Sequence, residues 1–463
     1  TNFHIFLLDN KSVLADKSSN SRSLMFKSLK HLVTLNKDGR IKAAPVELFT
    51  KIVSAVLTQS LFESSITLTL TISEATGMLT RFNKKGILGQ EFVILTARND
   101  HANDRPINLQ FYVRSAKNAE LSTQGQSVLM TLECVTKESL IDSYTSVNQS
   151  FNKTYSKTVE SIWDRYITKS PKQEFFKNTP LTPFDKRTIE VHDTQQVINS
   201  FIIPGRSPFG AIDMCGRRAH DFTFGGSMFL FYETINGYYF HNIEKLINDQ
   251  NELLESEPQL RSYRWSPLDD SSEGVIDEIK KIRSLDELKL PDQHLLGATG
   301  SLRNTARALD VVGKTYRDVA FDYQEKTRGA YQLVDPAGDT FIDDDFHDMF
   351  VEDTYEFLIV KDTTKRNQFY EHVVSQRMPF VHHLMSQQLN VTLTGDITLV
   401  PGEMVDLQIP EQSAYKGDKQ TDVPSNRLGG RWMIASVKQI FDAQESHTTV
   451  LSCMKNSGVP GEK

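Results

Sequence analysis

Three cysteines in 463 residues leave little for covalent cross-linking. Cys134, Cys215 and Cys453 lie far apart, show no Cys-x-x-Cys spacing, and are odd in number, so they cannot all pair within the chain. That is the pattern of a chain folded under reducing conditions. An excess of positive charge is also lacking: the net charge is -7 and the pI about 6.0. A sequence-independent nucleic-acid binder needs a basic face to displace counterions, so the chain as a whole does not read as one, although a local basic patch would be compatible. No apolar run approaches the roughly 20 residues of a membrane-spanning helix. The opening TNFHIFLLDNKSVLADK has a short apolar patch and no basic leader, so no secretory signal is expected there. Without secretion the Asn-x-Ser/Thr sites at Asn10, Asn148, Asn152 and Asn390 carry no message.

What is present is an ordinary globular composition, 39% hydrophobic and 24% charged. The length calls for several domains. Residues 1–46 are polar and mixed and read as an N-terminal extension. From residue 47 the strand signals strengthen. Ile66, Leu68, Leu70 and Ile72 alternate with threonines. Ile107, Leu109, Phe111 and Val113 form a second alternating set, Val128, Met130, Leu132 and Cys134 a third, and EFVIL at 91–95 a fourth. A period of two with β-branched residues marks strands buried on one face. Residues 47–145 are therefore expected to form one antiparallel β-domain.

Residues 146–265 change character and read as an α+β module. In SKTVESIWDRYIT the apolar positions recur at helical spacing. Ser207-Pro208 opens a second helix. FLFYETINGYYFH carries Asn236-Gly237, which predicts a hairpin with a type I′ turn. Asn242 is placed to cap a following helix. Residues 266–330 read as an acidic connector with strands, YRDVAFDY among them. Residues 331–463 read as a second β-domain with a helix at 366–389 that Pro379 should kink or split. Its strands lie around Val391 and in MVDLQIP, RWMIASVKQIF and HTTVLSCMK.

The two β-rich ends share an order. ILGQEFVILTA parallels VPGEMVDLQI, each a glycine turn, a glutamate and a strand. INLQFYVRSAKNA follows in one and RWMIASVKQIFDA in the other, then SVLMTLECVTKES and HTTVLSCMKNSG. One strand-rich unit used twice is the expectation. The fold class is therefore α+β, mainly β, with two related antiparallel β-barrel domains and an inserted α+β module.

Chemistry-bearing motifs are sparse. ALDVVGKT at 308–315 is a relaxed phosphate-loop pattern, but its β-branched residues resist curling around phosphate, and a Gly-Lys turn between strands is expected instead. His372, His382 and His383 lack the i, i+4 spacing of a zinc helix and read as an exposed helix face. DDDFHDMFVED at 343–353 lacks the glycine and terminal glutamate of a calcium loop. No Gly-x-Ser-x-Gly and no nucleophile-type cysteine occurs. The aromatic cluster Phe229, Phe231, Tyr232, Tyr238, Tyr239 and Phe240 is expected to be the core of a small sheet. No catalytic, cofactor-binding or metal-binding residue is assigned, no cofactor is expected, and binding residues stay unassigned.

In its order of segments the chain resembles the baseplate hub protein of contractile-tailed bacteriophages. FIIPGRSPFGAIDMCGRRA followed by FLFYETINGYYFHNIEKL is similar to that family's middle module. LNVTLTGDITLVPGEMVDLQIP, GGRWMIASVKQIFD and HTTVLSCMKNS resemble its C-terminal tube domain, and ESSITLTLTIS, LGQEFVILTA and SVLMTLECVTKES its N-terminal one. The resemblance covers residues 47–463 and matches 266–300 poorly. It implies a non-enzymatic homotrimer whose two tube-like barrels per chain make a ring of six units, adapting a six-fold tail tube to a three-fold spike. Implied partners are the central spike, the tail tube protein, the tape measure protein and baseplate wedge proteins, with DNA passing through the lumen without specific binding. The implied location is the virion's baseplate, assembled in the host cytoplasm, with no membrane segment. The hub of a type VI secretion-like injection machine is the near alternative; that family continues into a long β-helical spike, whereas the sequence here runs to NSGVPGEK. A tail-tip cell-wall hydrolase and a host-surface binder are the rivals from other classes.

Overall fold

The computed structural model describes residues 2–8, 12–14, 32–35, 41–43, 46–48, 52–74, 87, 91–98, 107–121, 128–173, 187–194, 199–221, 226–258, 260–265, 280–311, 313–327, 355–361, 370–410, 428–442 and 446–456. The fold is mainly β. A single 13-stranded sheet carries both β-domains, with four smaller sheets and short helices around it.

Six strands of that sheet close on themselves. Lys281–Lys289, Gln387–Thr394, His447–Lys455, Gly430–Asp442 and Met404–Gln408 pair in that order, and Ser262–Trp265 joins the last to the first by two parallel ladders. Tyr263, Leu389, Val391, Val405, Trp432 and Leu451 fill the interior, each at most 4% exposed. Closure removes the open edges that would otherwise invite uncontrolled pairing. Two of these strands lie before residue 331, where the sequence reading starts this domain. A four-residue strand shows too few alternations to be seen by periodicity.

The other end repeats the order. Ile52–Ser60, Thr67–Glu74, Val128–Val135, Ile107–Leu121, Phe92–Arg98 and Asn2–Leu8 follow one another across the sheet. Asn2–Leu8, from the segment read as an extension, pairs along Phe92–Arg98 and on its far edge meets Val46–Glu47, which leads into Ile52–Ser60. Leu48 N–H donates to the Ile5 carbonyl at 2.9 Å.

The repeat is visible in the irregularities. The ladder to Thr67–Glu74 skips a residue between Ile52 and Ser54; the ladder to Gln387–Thr394 skips one between Ile282 and Ser284. The two long strands bulge at an equivalent point, Arg114 and Ala435, and Ile107–Leu121 bulges a second time at Glu120. Just before each bulge the same hydrogen bond recurs: Val113 N–H to Glu91 O and Ile434 N–H to Glu403 O, both 2.9 Å. This register equates Cys134 with Cys453, Lys117 with Lys438 and Thr71 with Thr392. It also corrects the alignment drawn from the sequence, which put Val113 with Val437 rather than with Ile434, three residues earlier.

The closed barrel and the β-domain of matching strand order, called the first barrel for that match, are one sheet because Ile52–Ser60 pairs antiparallel with the second half of Gly430–Asp442, from Ser60↔Ser436 to Ser54↔Asp442. The long strand can do this because Met404–Gln408 leaves its edge at Met433, before the bulge.

Between the barrels lies the module of residues 147–256. Thr154, Ser207 and Asn242 cap helices Tyr155–Ile162, Pro208–Gly216 and Ile243–Ser256 with their side chains. The first continues as one π-helical stretch, Trp163–Thr168. The aromatic cluster is core, as expected: Phe229, Tyr238 and Phe240 are at most 1% exposed, and Trp163 packs on Tyr238 at 4.6 Å between ring centroids. The hairpin forms, but Thr234 pairs with Gly237, so its two turn residues are Ile235 and Asn236. Among the described residues only Lys314 has positive φ outside glycine, so the turn is not type I′.

Helix Tyr370–Leu384 runs unbroken through Pro379, against expectation. A proline at 379 deprives the Ser375 carbonyl of its helical donor. The buried Asn304 side chain supplies one instead, Nδ2 to Ser375 O at 3.0 Å. Replacing that donor satisfies the group whose exposure would otherwise break the helix.

Val405 is fully buried and pairs with Trp432. Val405→Pro is expected to cost about 3 kcal/mol or more and to leave little soluble protein; a variant melting at the wild-type temperature would contradict this strand.

Candidate assembly interface

The sheet's outer face continues from one barrel to the other. Directly paired positions run Glu133, Thr69, Val56, Ile440, Thr448 and Thr394; the next row runs Thr67, Thr58, Lys438, Val450, Thr392 and Ser284. All but Lys438, which is exposed, are half-buried. The inward positions of the same strands are the apolar cores. Period-two alternation thus produces one uninterrupted hydroxyl-rich surface. Its charges are few: Lys117 Nζ lies 2.5 Å from Glu133 Oε1, Arg283 Nε donates to Thr394 Oγ1 at 3.2 Å, and Lys438 is exposed. Hydrogen bonds from Lys117 and Ser115 hold the Glu133 carboxyl below its ordinary range.

Buried charges fix the middle module to both barrels. Glu233, on the hairpin, is fully buried and ion-paired with Arg187. It accepts from Ile66 N–H at 2.8 Å and Thr136 Oγ1 at 3.1 Å, both on first-barrel segments. Burial pushes its carboxyl up to about 8, against the pull of Arg187. Desolvating such a pair costs several kcal/mol per ion, roughly what the contacts return, so the pair fixes docking geometry more than it adds stability. Arg377, on helix Tyr370–Leu384, donates from Nη1 to the carbonyls of Gly216, Ser227 and Phe229 at 3.0–3.2 Å. A cation thereby closes the C-terminus of helix Pro208–Gly216.

The stretch TGDITLVPGEMVDLQIP has its three carboxylates in or beside the barrel seam. Glu403 pairs with Arg261, and Asp396 accepts from Tyr263 Oη at 2.9 Å. Both contacts hold the closing strand Ser262–Trp265. Asp406 pairs with Ser262 in the ladder itself. Gly402, at φ +90°, makes the turn, and a side chain there would meet Leu246 Cδ2 at 3.0 Å.

The other sequence candidates disperse. Arg303–Asp310 and Thr315–Asp322 form a hairpin, with Gly313 N–H on Asp310 Oδ1 at 2.9 Å, as expected for a Gly-Lys turn. The histidines are not an exposed face: His383 is 3% exposed and stacked on Tyr323 at 3.4 Å, and His382 Nδ1 lies 2.7 Å from Ser301 Oγ. They hold the Thr299–Ser301 turn against the helix. The run 343–353 lies outside the described residues. All three cysteines are buried and unpaired, and burial pushes the Cys215 thiol up to about 12.

One cluster escaped the sequence reading. Glu190, His192 and His241 come together because the parallel pairing of Ile189–Val191 with Gly237–Asn242 sets them side by side. Burial lowers His192 to about 4 and His241 to about 3, leaving both neutral. The imidazoles stack face to face, 3.9 Å apart and 10° from parallel. Parallel rings cannot aim two in-plane lone pairs at one ion, and His192 Nδ1 already accepts from Asn242 N–H at 3.2 Å. The cluster does not fit a metal as it stands.

No family model and no curated protein matches the sequence. Solved structures do match. The 43 kDa tail protein of prophage MuSo2 from Shewanella oneidensis is similar at TM-score 0.52 and 10% identity, over 98% of this chain and 99% of that one. A tail protein from Neisseria meningitidis MC58 is similar at TM-score 0.51 and 9% identity, over 98% and 97%. The chain has the fold of these tail proteins. No described helix is long and apolar enough to cross a membrane.

Two substitutions test the anchors. Arg377→Met strips a charged donor from three carbonyls and is expected to lower stability by about 2–4 kcal/mol in urea denaturation. Glu233 holds its proton to about 8 in the folded chain against 4.5 ordinarily, so it takes stability away as pH rises from about 5 to about 8. Glu233→Gln should therefore flatten that fall; parallel pH profiles for wild type and variant would show that the carboxyl is not shifted.

Proposed function

We propose that this chain is the structural, non-enzymatic hub of a contractile phage baseplate. Three copies form a ring of six barrels that adapts a six-fold tail tube to a three-fold central spike. The observation that carries this reading is the pair of barrels with matching strand order, bulges and turn hydrogen bonds, joined through one continuous ladder. A chain that presents the same unit twice can meet a six-fold partner with three copies. The tail-protein fold over nearly the whole chain supports the same placement. Its partners on this reading are the spike, the tail tube, the tape measure protein and the baseplate wedges, in a virion assembled in the host cytoplasm.

The hydroxyl-rich face, on this reading, lines the channel through which DNA leaves. Phosphates are retained where lysines and arginines displace counterions. A face rich in threonine and serine, with few charges, gives them little to hold.

Electron microscopy and mass determination at high protein concentration test the assembly, with and without the spike chain of the same genome. Three-fold rings with an open centre are expected. Particles that stay monomeric even with the spike would exclude the hub. Salt-sensitive retention of DNA by the ring would refute the neutral channel.

A further inference from the structure

The barrels correspond strand for strand, so the contact that joins them implies a second one that a single chain does not make. Within the chain, the first strand of barrel one, Ile52–Ser60, pairs with the post-bulge half of the long strand of barrel two, Ser436–Asp442. The counterpart of Ile52–Ser60 is Lys281–Lys289: each pairs with the equivalent neighbour and skips a residue at the equivalent place. The counterpart of Ser436–Ile440 is Ser115–Ala119, between the bulge at Arg114 and the second one at Glu120.

Both counterparts have an open edge among the described residues. Among the described residues, Ser115–Leu121 pairs only with Val128–Val135, because Phe92–Arg98 leaves at Tyr112. The edge of Lys281–Lys289 away from Gln387–Thr394 is covered by Ser262–Trp265 only as far as Ile282. Exposure follows the difference. Counting from the equivalent pairs Thr58↔Thr67 and Lys289↔Gln388, Gln59 corresponds to Leu290, and Leu57 to a bulge of two residues, Leu288 among them, that stands against Leu389. Leu57 and Gln59 are 0% and 1% exposed under the internal ladder; Leu288 and Leu290 are 41% and 46% exposed. On the other side Val437 is fully buried, and its counterpart Ala116 is exposed. Two exposed leucines on an unpaired strand edge are a surface prepared for pairing.

We propose that a second copy of this chain fills this edge: Ser115–Ala119 of one copy pairs antiparallel with the 286–291 edge of the next, in the register of the internal ladder. Ala116 then faces Leu290, as Val437 faces Gln59, and Asn118 falls at the bulge that includes Leu288, as Gln439 faces Leu57. The occupant is a copy of the chain because the chain already holds the complementary strand in the complementary geometry. The contact is head to tail, since each copy offers a different edge on its two sides, and such contacts close into rings when the rotation allows. This inference rests on the ring reading above and specifies which edges make the ring.

Disulfide trapping tests it. Directly opposed residues of an antiparallel pair have Cα atoms about 4.5–5.5 Å apart, inside the roughly 4.4–6.8 Å that a disulfide spans. The native cysteines are buried and leave a clean background. Mixing Ala116→Cys chains with Leu290→Cys chains under mild oxidation is expected to give cross-linked dimers, and neither variant alone should give them. The double variant should give a ladder ending at a closed product of three chains. Leu288→Lys with Leu290→Lys should raise the concentration needed for assembly at least tenfold while leaving the monomer folded. Cross-linking by Ala116→Cys alone would mean an isologous contact and overturn the proposal. Wild-type rings by mass with no cross-link in the mixture would overturn these edges and leave the ring reading standing. Monomers under every condition, spike included, would overturn both.

Discussion

The ladder between Ile52–Ser60 and Ser436–Asp442 is the constraint from which the rest of the architecture follows. Without it the chain would be two barrels on a tether, free to reorient. With it, two interiors share one backbone hydrogen-bond network, and the register of one barrel sets that of the other. The bulge at Ala435 makes this possible. It lets a single 13-residue strand belong to barrel two at its start and to the junction at its end. A one-residue slip in the junction would turn every outward hydroxyl inward and every core leucine outward, so the apolar faces on both sides hold the register firmly.

The inserted module is held in a different way. It meets the barrels through buried ionic groups: Glu233 with Arg187 against the first barrel, and Arg377 from the helix that leads into the second. Hydrophobic contact is tolerant of small displacements. A buried carboxyl with three assigned donors is not, because losing one contact leaves a buried polar group unsatisfied at about 1–3 kcal/mol. Such contacts fix angle and depth. Glu403 with Arg261 follows the same logic at the barrel seam, where a four-residue parallel strand has few hydrogen bonds of its own.

Much of this was legible in the sequence, for physical reasons that differ by element. Strands such as ITLTLTI and QLNVTLT declare themselves because one face is apolar and the other carries threonine. Caps at Ser207 and Asn242 are local and were read correctly. The hairpin at Ile235-Asn236 was found but misplaced by one residue, because Asn-Gly is a strong local signal and the cross-strand aromatic pairs set the register instead. Pro379 misled because the donor that rescues its helix, Asn304, is 75 residues away in sequence. The strand Ser262–Trp265 was missed because its two ladders are long-range and its length hides any period. The stacked histidines His192 and His241 were missed because a parallel ladder brings them together across 48 intervening residues.

The same accounting explains why a repeat so clear in structure is faint in sequence. The positions that must agree are backbone features: the residue skipped at Ile52–Ser54 and at Ile282–Ser284, the bulge at Arg114 and at Ala435, the glutamate carbonyl that accepts just before each bulge. Side chains need only alternate. Identity survives at scattered sites, Cys134 and Cys453, Lys117 and Lys438, Thr71 and Thr392, where burial or the shared face leaves fewer choices. Where the repeats differ in environment they differ in residue. Leu57 and Gln59 lie beneath an internal neighbour, whereas Leu288 and Leu290 are exposed on an edge that no described strand of the chain pairs with. A duplicated unit whose two copies occupy unequal positions in one chain has one junction inside the chain and one outside it. The exposed apolar residues fall on the second.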